Sequence, residues 1–406
     1  NYLVQMADAI HYYGSIACMG FFMAESKYCL LKKDHPFDEG HLEYVKPFNP
    51  IGIGINSSNE EIKEFYETAK RVVRDLDVET MEFIAESYAQ QSAILKALGF
   101  DMVSIHFCYR AQLPTKFLSP LTNDRSDEFG GSIENRARFA LMILKKVREA
   151  VGNDFIIEIL FSGEEENIGG YTREEGAQFL KLFDPYVDIV QIRASEADPN
   201  HPIPFNLEET PFLEQAAFMK KSGVKMKIAS VGGWHNPKTA EKALSEGKID
   251  IVSMARAWIS NPDYGKLIYE DRAEDIVPCL RCNKCHGRGK DDVLTSICSV
   301  NPKIGIEHRL HYMRSKECTP KKVAVVGGGP AGMKAAIDLF DRGHSVTLFE
   351  KEAVLGGAIK HSDFVDFKWT LKDFKDYLIA QVNKRNIEVV LNKQVTPKEI
   401  EEKGFG

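Results

Sequence analysis

Six short runs rich in β-branched and other apolar residues alternate with amphipathic stretches through roughly the first 270 residues, and this alternation limits the possible folds most strongly. The runs are SIACMGFF (15–22), DMVSIHF (101–107), FIIEILFS (155–162), VDIVQIRAS (187–195), VKMKIASVG (224–232) and IDIVSMA (249–255). SIENRARFALMILKKVREAV (132–151), between the second and third, predicts a helix. Ser132 can cap it, and Ile133, Ala137, Ala140, Ile143, Leu144 and Val147 fall on one apolar face. Strand–helix alternation implies an α/β fold with a parallel sheet and right-handed crossovers. Six such units fit either an open sheet or a TIM (β/α)8-type barrel lacking two of its units.

A chain of 406 residues has room for two or three domains. Its 44% hydrophobic and 27% charged content is that of a soluble globular protein, and a net charge of −7 with no long basic run argues against nucleic acid as a partner. No apolar run is long enough to span a bilayer, so no membrane partner is expected. The opening NYLVQMADAIHYYG has neither an initiator methionine nor a signal-peptide pattern.

Four of the eight cysteines sit in CLRCNKCHGRGKDDVLTSICSVNP (279–302), while Cys18, Cys29, Cys108 and Cys318 are scattered. Disulfide frameworks belong to small secreted domains, and C-x2-C-x2-C leaves its members too crowded for an ordinary bridge. Structural zinc usually pairs two separate C-x2-4-C knuckles. A compact trio with a remote fourth thiol beside a proline is closer to iron–sulfur spacing, in which Cys279, Cys282, Cys285 and Cys298 would hold a [4Fe–4S] cube. Zinc and unliganded thiols stay open as alternatives. An iron–sulfur site without a disulfide pattern points to a reducing cytoplasm. Arg281, Lys284, His286, Arg288 and Lys290 crowd the thiols with positive charge, which would favour a reduced cluster unless they are only a solvated basic loop.

Past SKECTPKK, the stretch KVAVVGGGPAGMKAAIDLFDRGHSVTLFEKEAVLGG (322–357) reads as strand, glycine turn, helix, strand and then an acid. Gly327, Gly329 and Gly332, with Ala331 before the last, would let backbone N–H groups approach a pyrophosphate at the helix N-terminus. Glu350 would bind a ribose hydroxyl. This is a dinucleotide site on a Rossmann-like fold, and Gly356 and Gly357 offer a second close backbone approach.

In this order the pieces resemble the iron–sulfur flavoproteins related to old yellow enzyme. These include 2,4-dienoyl-CoA reductase, trimethylamine dehydrogenase, 2-enoate reductases and bile-acid-inducible NADH-dependent steroid oxidoreductases. The most specific passage is KFLSPLTNDRSDEFGGSIENRARF (116–139), and VGGWHNP, SMARAWISNPD and DIVPCLRCNKC follow in the family's order. The resemblance implies an FMN-binding TIM barrel over 1–265, a cluster segment over 266–318 and the beginning of an FAD (ADP)-binding fold over 319–406. It implies two further barrel strands before this chain, and after it the rest of the FAD (ADP) domain plus a nucleotide domain for NAD(P)H. FMN phosphate contacts would fall at Gly232, Gly233, Ala255 and Arg256.

Some positions depart from the family's pattern. Gly20 stands where the family has a flavin-contacting glutamine, and Leu160 where it has an arginine, so Arg193 is a candidate replacement cation. HFCYRA (106–111) puts Ala111 at the family's proton-donating tyrosine and Tyr109 at its second histidine. Tyr109 then becomes the candidate proton donor, His106 a carbonyl polariser and His201 a second donor. The expected activity is NAD(P)H-driven reduction of an activated C=C bond in a small molecule, of anaerobic type, with electrons passing through FAD, the cluster and FMN. The alternatives are an amine dehydrogenase of trimethylamine dehydrogenase type and a non-catalytic electron-relay or scaffold subunit. The sequence leaves a homo-oligomer open.

Overall fold

The computed structural model describes residues 2–21, 59–108, 112–165, 168–194, 209–286, 297–307, 309–310 and 319–405. Contacts divide them into two compact units. The first takes the described residues up to 194 with 210–234 and 238–253, and the second takes 209, 235–237 and the described residues from 254 onward.

The first unit is a six-stranded parallel sheet whose spatial order follows the sequence: β1 (Cys18–Phe21), β2 (Met102–Phe107), β3 (Ile156–Ser162), β4 (Ile189–Arg193), β5 (Lys227–Val231) and β6 (Ile251–Ser253). All six predicted runs became strands, and sequential parallel order with intervening helices is the arrangement of a TIM barrel rather than a doubly wound sheet. One face carries Val103, Ile105, Phe107, Ile157, Ile159, Phe161, Val190, Ile192 and Ile228, all fully buried. Because side chains alternate along a strand, the other face carries Ser104, His106, Glu158, Leu160, Gln191 and Arg193.

The helices of this unit are α1 (Tyr2–Tyr12), α2 (Asn59–Asp75), α3 (Val78–Ala97), α4 (Leu113–Leu118), α5 (Ile133–Val151), α6 (Arg173–Phe183) and α7 (Leu213–Lys221), with α8 (Pro237–Ser245) beginning at the boundary. The predicted helix over 132–151 is α5, and Ser132 caps it by accepting from the Asn135 N–H. Its Ala137, Ala140, Ile143, Leu144 and Val147 are fully buried, as their spacing requires.

In the second unit α9 (Arg256–Ser260) and α10 (Tyr264–Tyr269) lead into the cysteine segment. Beyond it lies a three-stranded parallel sheet in the order β7 (Lys322–Val326), β8 (Ser345–Phe349), β9 (Glu388–Val390). Helix α11 (Pro330–Asp341) connects the first two strands, α12 (Trp369–Lys384) the last two, and α13 (Pro397–Glu402) follows. Met333, Ala336, Ile337, Val346, Leu348, Leu378 and Val382 form its core. Among the described residues no helix is long and apolar enough to cross a membrane.

Candidate active site

The polar face of the first sheet converges on the carboxyl end of β2. His106 is buried there, in register with Leu160 on β3, which in turn pairs with Gln191 on β4. Burial, reinforced by the charge of Arg193, pushes its imidazole down to about 3. The Cys108 Sγ lies 3.5 Å from Nε2 and 3.6 Å from Nδ1, and burial drives that thiol up to about 12 against the pull of Arg193. Both groups are therefore neutral at neutral pH. One row below, Glu158 is in register with Ser104 and its Oε1 accepts from Gln191 Nε2 at 3.4 Å. Burial raises its carboxyl, while hydrogen bonds from Ser104 and Gln191 and the Arg193 charge oppose the shift. Arg193, at the end of β4, thus acts on all three titratable neighbours. Tyr109, Ala111 and His201 lie outside the described residues.

The passage 116–139 is a bracket that fixes the loop beyond this edge. Asn123 Nδ2 donates to the carbonyls of Phe117 (2.7 Å) and Phe129 (2.8 Å), and Thr122 Oγ1 donates to Lys116 O (2.7 Å). Arg125 Nη1 donates to Val73 O (2.7 Å) and Leu76 O (2.8 Å), and Arg136 Nη2 pairs with Glu175 at 2.8 Å. A Cβ on Gly130 would stand 2.0 Å from Arg125 O, so only glycine fits. These polar residues bond loop backbone or one another, which is structural work rather than catalysis. Just before this passage Gln112 differs: it is fully buried, and neither of its side-chain amide atoms has a hydrogen-bond partner among the described residues. Sequence reasoning passed over it, since nothing in HFCYRAQLP distinguishes a core glutamine from a surface one.

Of the expected FMN phosphate contacts, Gly232 and Gly233 directly follow β5 with φ of 102° and 70°, a left-handed pair that turns backbone outward. Trp234 anchors the turn by donating from Nε1 to Ser230 O at 2.8 Å. Such backbone fits a phosphate at the carboxyl end of a barrel strand. Ala255 and Arg256 belong to the second unit, at the start of α9. There the Arg256 Nη1 donates to Asn283 Oδ1 at 2.7 Å, which ties it to the cysteine segment.

Within that segment Arg281 and Asn283, the residues that flank Cys282, both take left-handed backbone at φ of 54° and 56°. The Arg281 N–H reaches back to Cys279 Sγ at 3.4 Å, and Cys282 Sγ lies 3.2 Å from Ser299 Oγ, which brings the trio and the Cys298 strand of chain together. Burial raises the Cys279 thiol, while the Arg281 N–H and the Arg256 charge lower it; the Cys285 thiol is raised by burial and likewise lowered by Arg256. Among the described residues no three potential ligands stand close enough to hold a single metal ion. A four-iron cube asks for something else, because its thiolates bind four different irons and stand farther apart than ligands of one ion. A backbone N–H donor on thiol sulfur and a cationic charge close by suit such a cluster.

Of the five expected cations two have described side chains, Arg281, which is buried (3% exposed), and Lys284, which is exposed; Arg288, Lys290 and the His286 side chain lie outside the described residues. Burial, helped by Arg256, lowers Arg281 to about 10, which leaves it charged at neutral pH. Its guanidinium stacks 4.7 Å above the Trp369 ring at the start of α12.

The nucleotide turn matches its motif closely. Gly327 takes φ 105°, Gly329 caps α11 and Pro330 opens it. A Cβ on Gly332 would lie 1.8 Å from Gly327 O, and one on Gly357 would lie 2.9 Å from Gly329 Cα. Gly356 N donates to Gly328 O at 2.8 Å, so the second glycine pair is bound to the first turn and forms a cradle without side chains. That cradle fits a pyrophosphate. Glu350 is buried, and its carboxylate accepts from Gly328 N (2.6 Å) and Glu352 N (2.9 Å). The Glu352 N–H, against burial and with help from Gly328, holds its carboxyl below the usual carboxylate value. Ionised and fixed at the end of β8, it still has lone pairs for a ribose hydroxyl. Gly328 was not singled out from sequence, yet a Cβ there would meet Leu355 Cδ2 at 2.4 Å. Its only signal was being one of three consecutive glycines.

Residues 1–275 match the NADH:flavin oxidoreductase / NADH oxidase family, and residues 321–405 match the pyridine nucleotide-disulphide oxidoreductase family. The chain belongs to the first of these families. It is 36% identical over 321 residues to the NADH oxidase of Thermoanaerobacter brockii, covering 78% of this chain and 49% of that protein. It is 30% identical over 350 residues to the cinnamate reductase of Clostridium sporogenes, covering 82% and 52% respectively. Among solved structures, a 2-naphthoyl-CoA reductase complex with 2-naphthoyl-CoA superposes with a TM-score of 0.73 at 33% identity, over 80% of this chain and 50% of that one. The chain spans about half the length of the curated relatives it matches.

Proposed function

We propose that the protein is an NAD(P)H-dependent flavin oxidoreductase that reduces an activated C=C bond in a small molecule. The observation that carries this reading is a flavin-oxidoreductase barrel joined in one chain to a nucleotide-binding fold through a four-cysteine segment. The names of the cinnamate reductase and the 2-naphthoyl-CoA reductase support an alkene or arene conjugated to a carbonyl as substrate. The balanced reaction adds a hydride equivalent to one carbon and a proton to its neighbour, while NAD(P)H becomes NAD(P)+.

Three segments divide the work: a barrel over 1–265 for FMN and substrate, a cluster segment over 266–318, and an FAD (ADP) fold over 319–406. Bound flavins supply hydride chemistry and a [4Fe–4S] cluster supplies one-electron transfer. Cys279, Cys282, Cys285 and Cys298 are the proposed cluster ligands. Gly327, Gly329, Ala331, Gly332, Gly356 and Gly357 let the nucleotide pyrophosphate approach backbone, and Glu350 holds the ribose. Gly232 and Gly233 present backbone N–H groups to the FMN phosphate. Tyr109 is the proposed proton donor, with His201 as the second donor. Neutral His106 can donate an N–H to a substrate carbonyl without carrying charge. An anaerobic cytoplasm suits a cluster of this kind.

Flavin, iron and sulfide analysis of the purified holoenzyme tests the assignment, followed by anaerobic reduction with NADH or NADPH and reoxidation with cinnamate or 2-cyclohexen-1-one. FMN, FAD, four irons per chain and reoxidation by an alkene are expected. FAD without FMN would instead support an electron-relay role, and flavin reduction by an amine with no reoxidation by an alkene would support an amine dehydrogenase.

A further inference from the structure

We propose that Gln112 binds the substrate, its side-chain amide donating from Nε2 to the carbonyl or carboxylate oxygen that activates the alkene; this rests on the reduction reading above. Gln112 is 0% exposed, and among the described residues neither Nε2 nor Oε1 has a hydrogen-bond partner. It occupies the N-cap position of α4, yet its side chain makes no capping bond to the helix. The hydroxyl of Thr115, three residues on, is also buried without a partner.

The surrounding bracket makes these two positions stand out. Ser119 Oγ donates to Glu165 Oε2 at 2.6 Å, and Thr122 and Asn123 donate to loop carbonyls. A buried carboxamide left unpaired destabilises the fold, whereas methionine or leucine would fill a similar volume without that loss. Its retention is explained if a ligand completes the hydrogen bonding. Location agrees, since Gln112 follows the carboxyl end of β2, the edge at which TIM barrels carry out chemistry, and His106 lies on that same strand. An amide N–H on the activating oxygen stabilises the negative charge that develops there as the hydride adds at the far carbon.

The test uses the holoenzyme under anaerobic conditions, with cinnamate and 2-cyclohexen-1-one as probes. Gln112→Met should raise KM for both probes and lower kcat/KM of flavin reoxidation by at least about tenfold, because one charge-stabilising donor is lost. The same variant should raise the melting temperature of the ligand-free protein, because an unpaired buried amide has been removed. A merely structural glutamine gives the opposite thermal shift. Unchanged kinetics in Gln112→Met, with the wild type reducing the probes, overturns this inference and leaves the reduction reading intact. If the wild type binds cinnamate through Gln112 but reduces neither probe, the site stands and the reduction reading falls. A wild type that neither binds nor reduces either probe overturns both.

Discussion

Burial pushes the His106 imidazole down to about 3, with Arg193 adding to the shift, so the ring enters the folded state uncharged. An unfolded histidine titrates near 6.5, so between that value and about 3 the unfolded chain binds a proton that the folded chain does not. Stability should therefore be independent of His106 above about pH 6.5 and fall as pH drops through that window. Glu158 works in the opposite sense: its raised carboxyl contributes stability at low pH that is lost as pH rises through its folded value. Comparing chemical unfolding of the wild type and His106→Leu across pH isolates the histidine, and the variant should lose less stability on acidification. The proton that the proposed reduction needs must then come from elsewhere. Tyr109→Phe should slow flavin reoxidation by the alkene while flavin reduction by NAD(P)H continues; an unchanged rate would remove Tyr109 and direct attention to His201.

At the scale of elements, the alternation of apolar runs was sufficient to place all six strands of the first sheet and the Ser132-capped α5, because strand burial on a helix-covered face leaves a strong local signal. The glycine turn was legible for the same reason, since its constraints are local. They are nevertheless unequal. Gly332→Ala would set a Cβ 1.8 Å from a backbone carbonyl, whereas at Gly329 the nearest neighbour is 3.7 Å away. We expect Gly332→Ala to lose adenine flavin nucleotide and lower the melting temperature, and Gly329→Ala to keep the fold while weakening the nucleotide; flavin content and thermal melts check both. What the sequence hid are pairings between remote segments. Arg256 read as a phosphate contact, but its hydrogen bond to Asn283 appears only once α9 and the cysteine segment are side by side. Gln112 was hidden because an unpaired amide is a property of its surroundings, not of its neighbours in sequence.

Across the whole molecule, side-chain contacts within the second unit join its two proposed redox elements. Helix α12 lies along the residues before and within the cysteine segment. Gln381 Nε2 donates to Glu274 O (3.2 Å) and Asp275 Oδ1 (3.0 Å), Lys384 pairs with Asp275 at 2.8 Å, and Thr370 Oγ1 donates to Leu280 O at 3.2 Å. At the start of the helix, Trp369 takes the Arg281 guanidinium on its face and meets His235 edge-on at 4.7 Å, while His235 Nε2 reaches Asp373 at 3.1 Å. Asp275 is partly buried, which would raise its carboxyl, but Lys384, Gln381 and Arg272 hold it down at about 2. Its contribution is present above the unfolded value near 3.9 and is lost as pH falls toward 2. A buried cation over a half-buried indole is worth about 1–2 kcal/mol, and here the cation sits between two proposed cluster ligands. Trp369→Ala should therefore do more than loosen the helix: iron should be released faster on chelator challenge, and the nucleotide fold should melt at a lower temperature. Trp369→Phe, which keeps a ring under Arg281, should recover most of both effects. Iron retention unchanged in Trp369→Ala, alongside a lowered melting temperature, would mean that the helix and the cysteine segment are neighbours without being coupled.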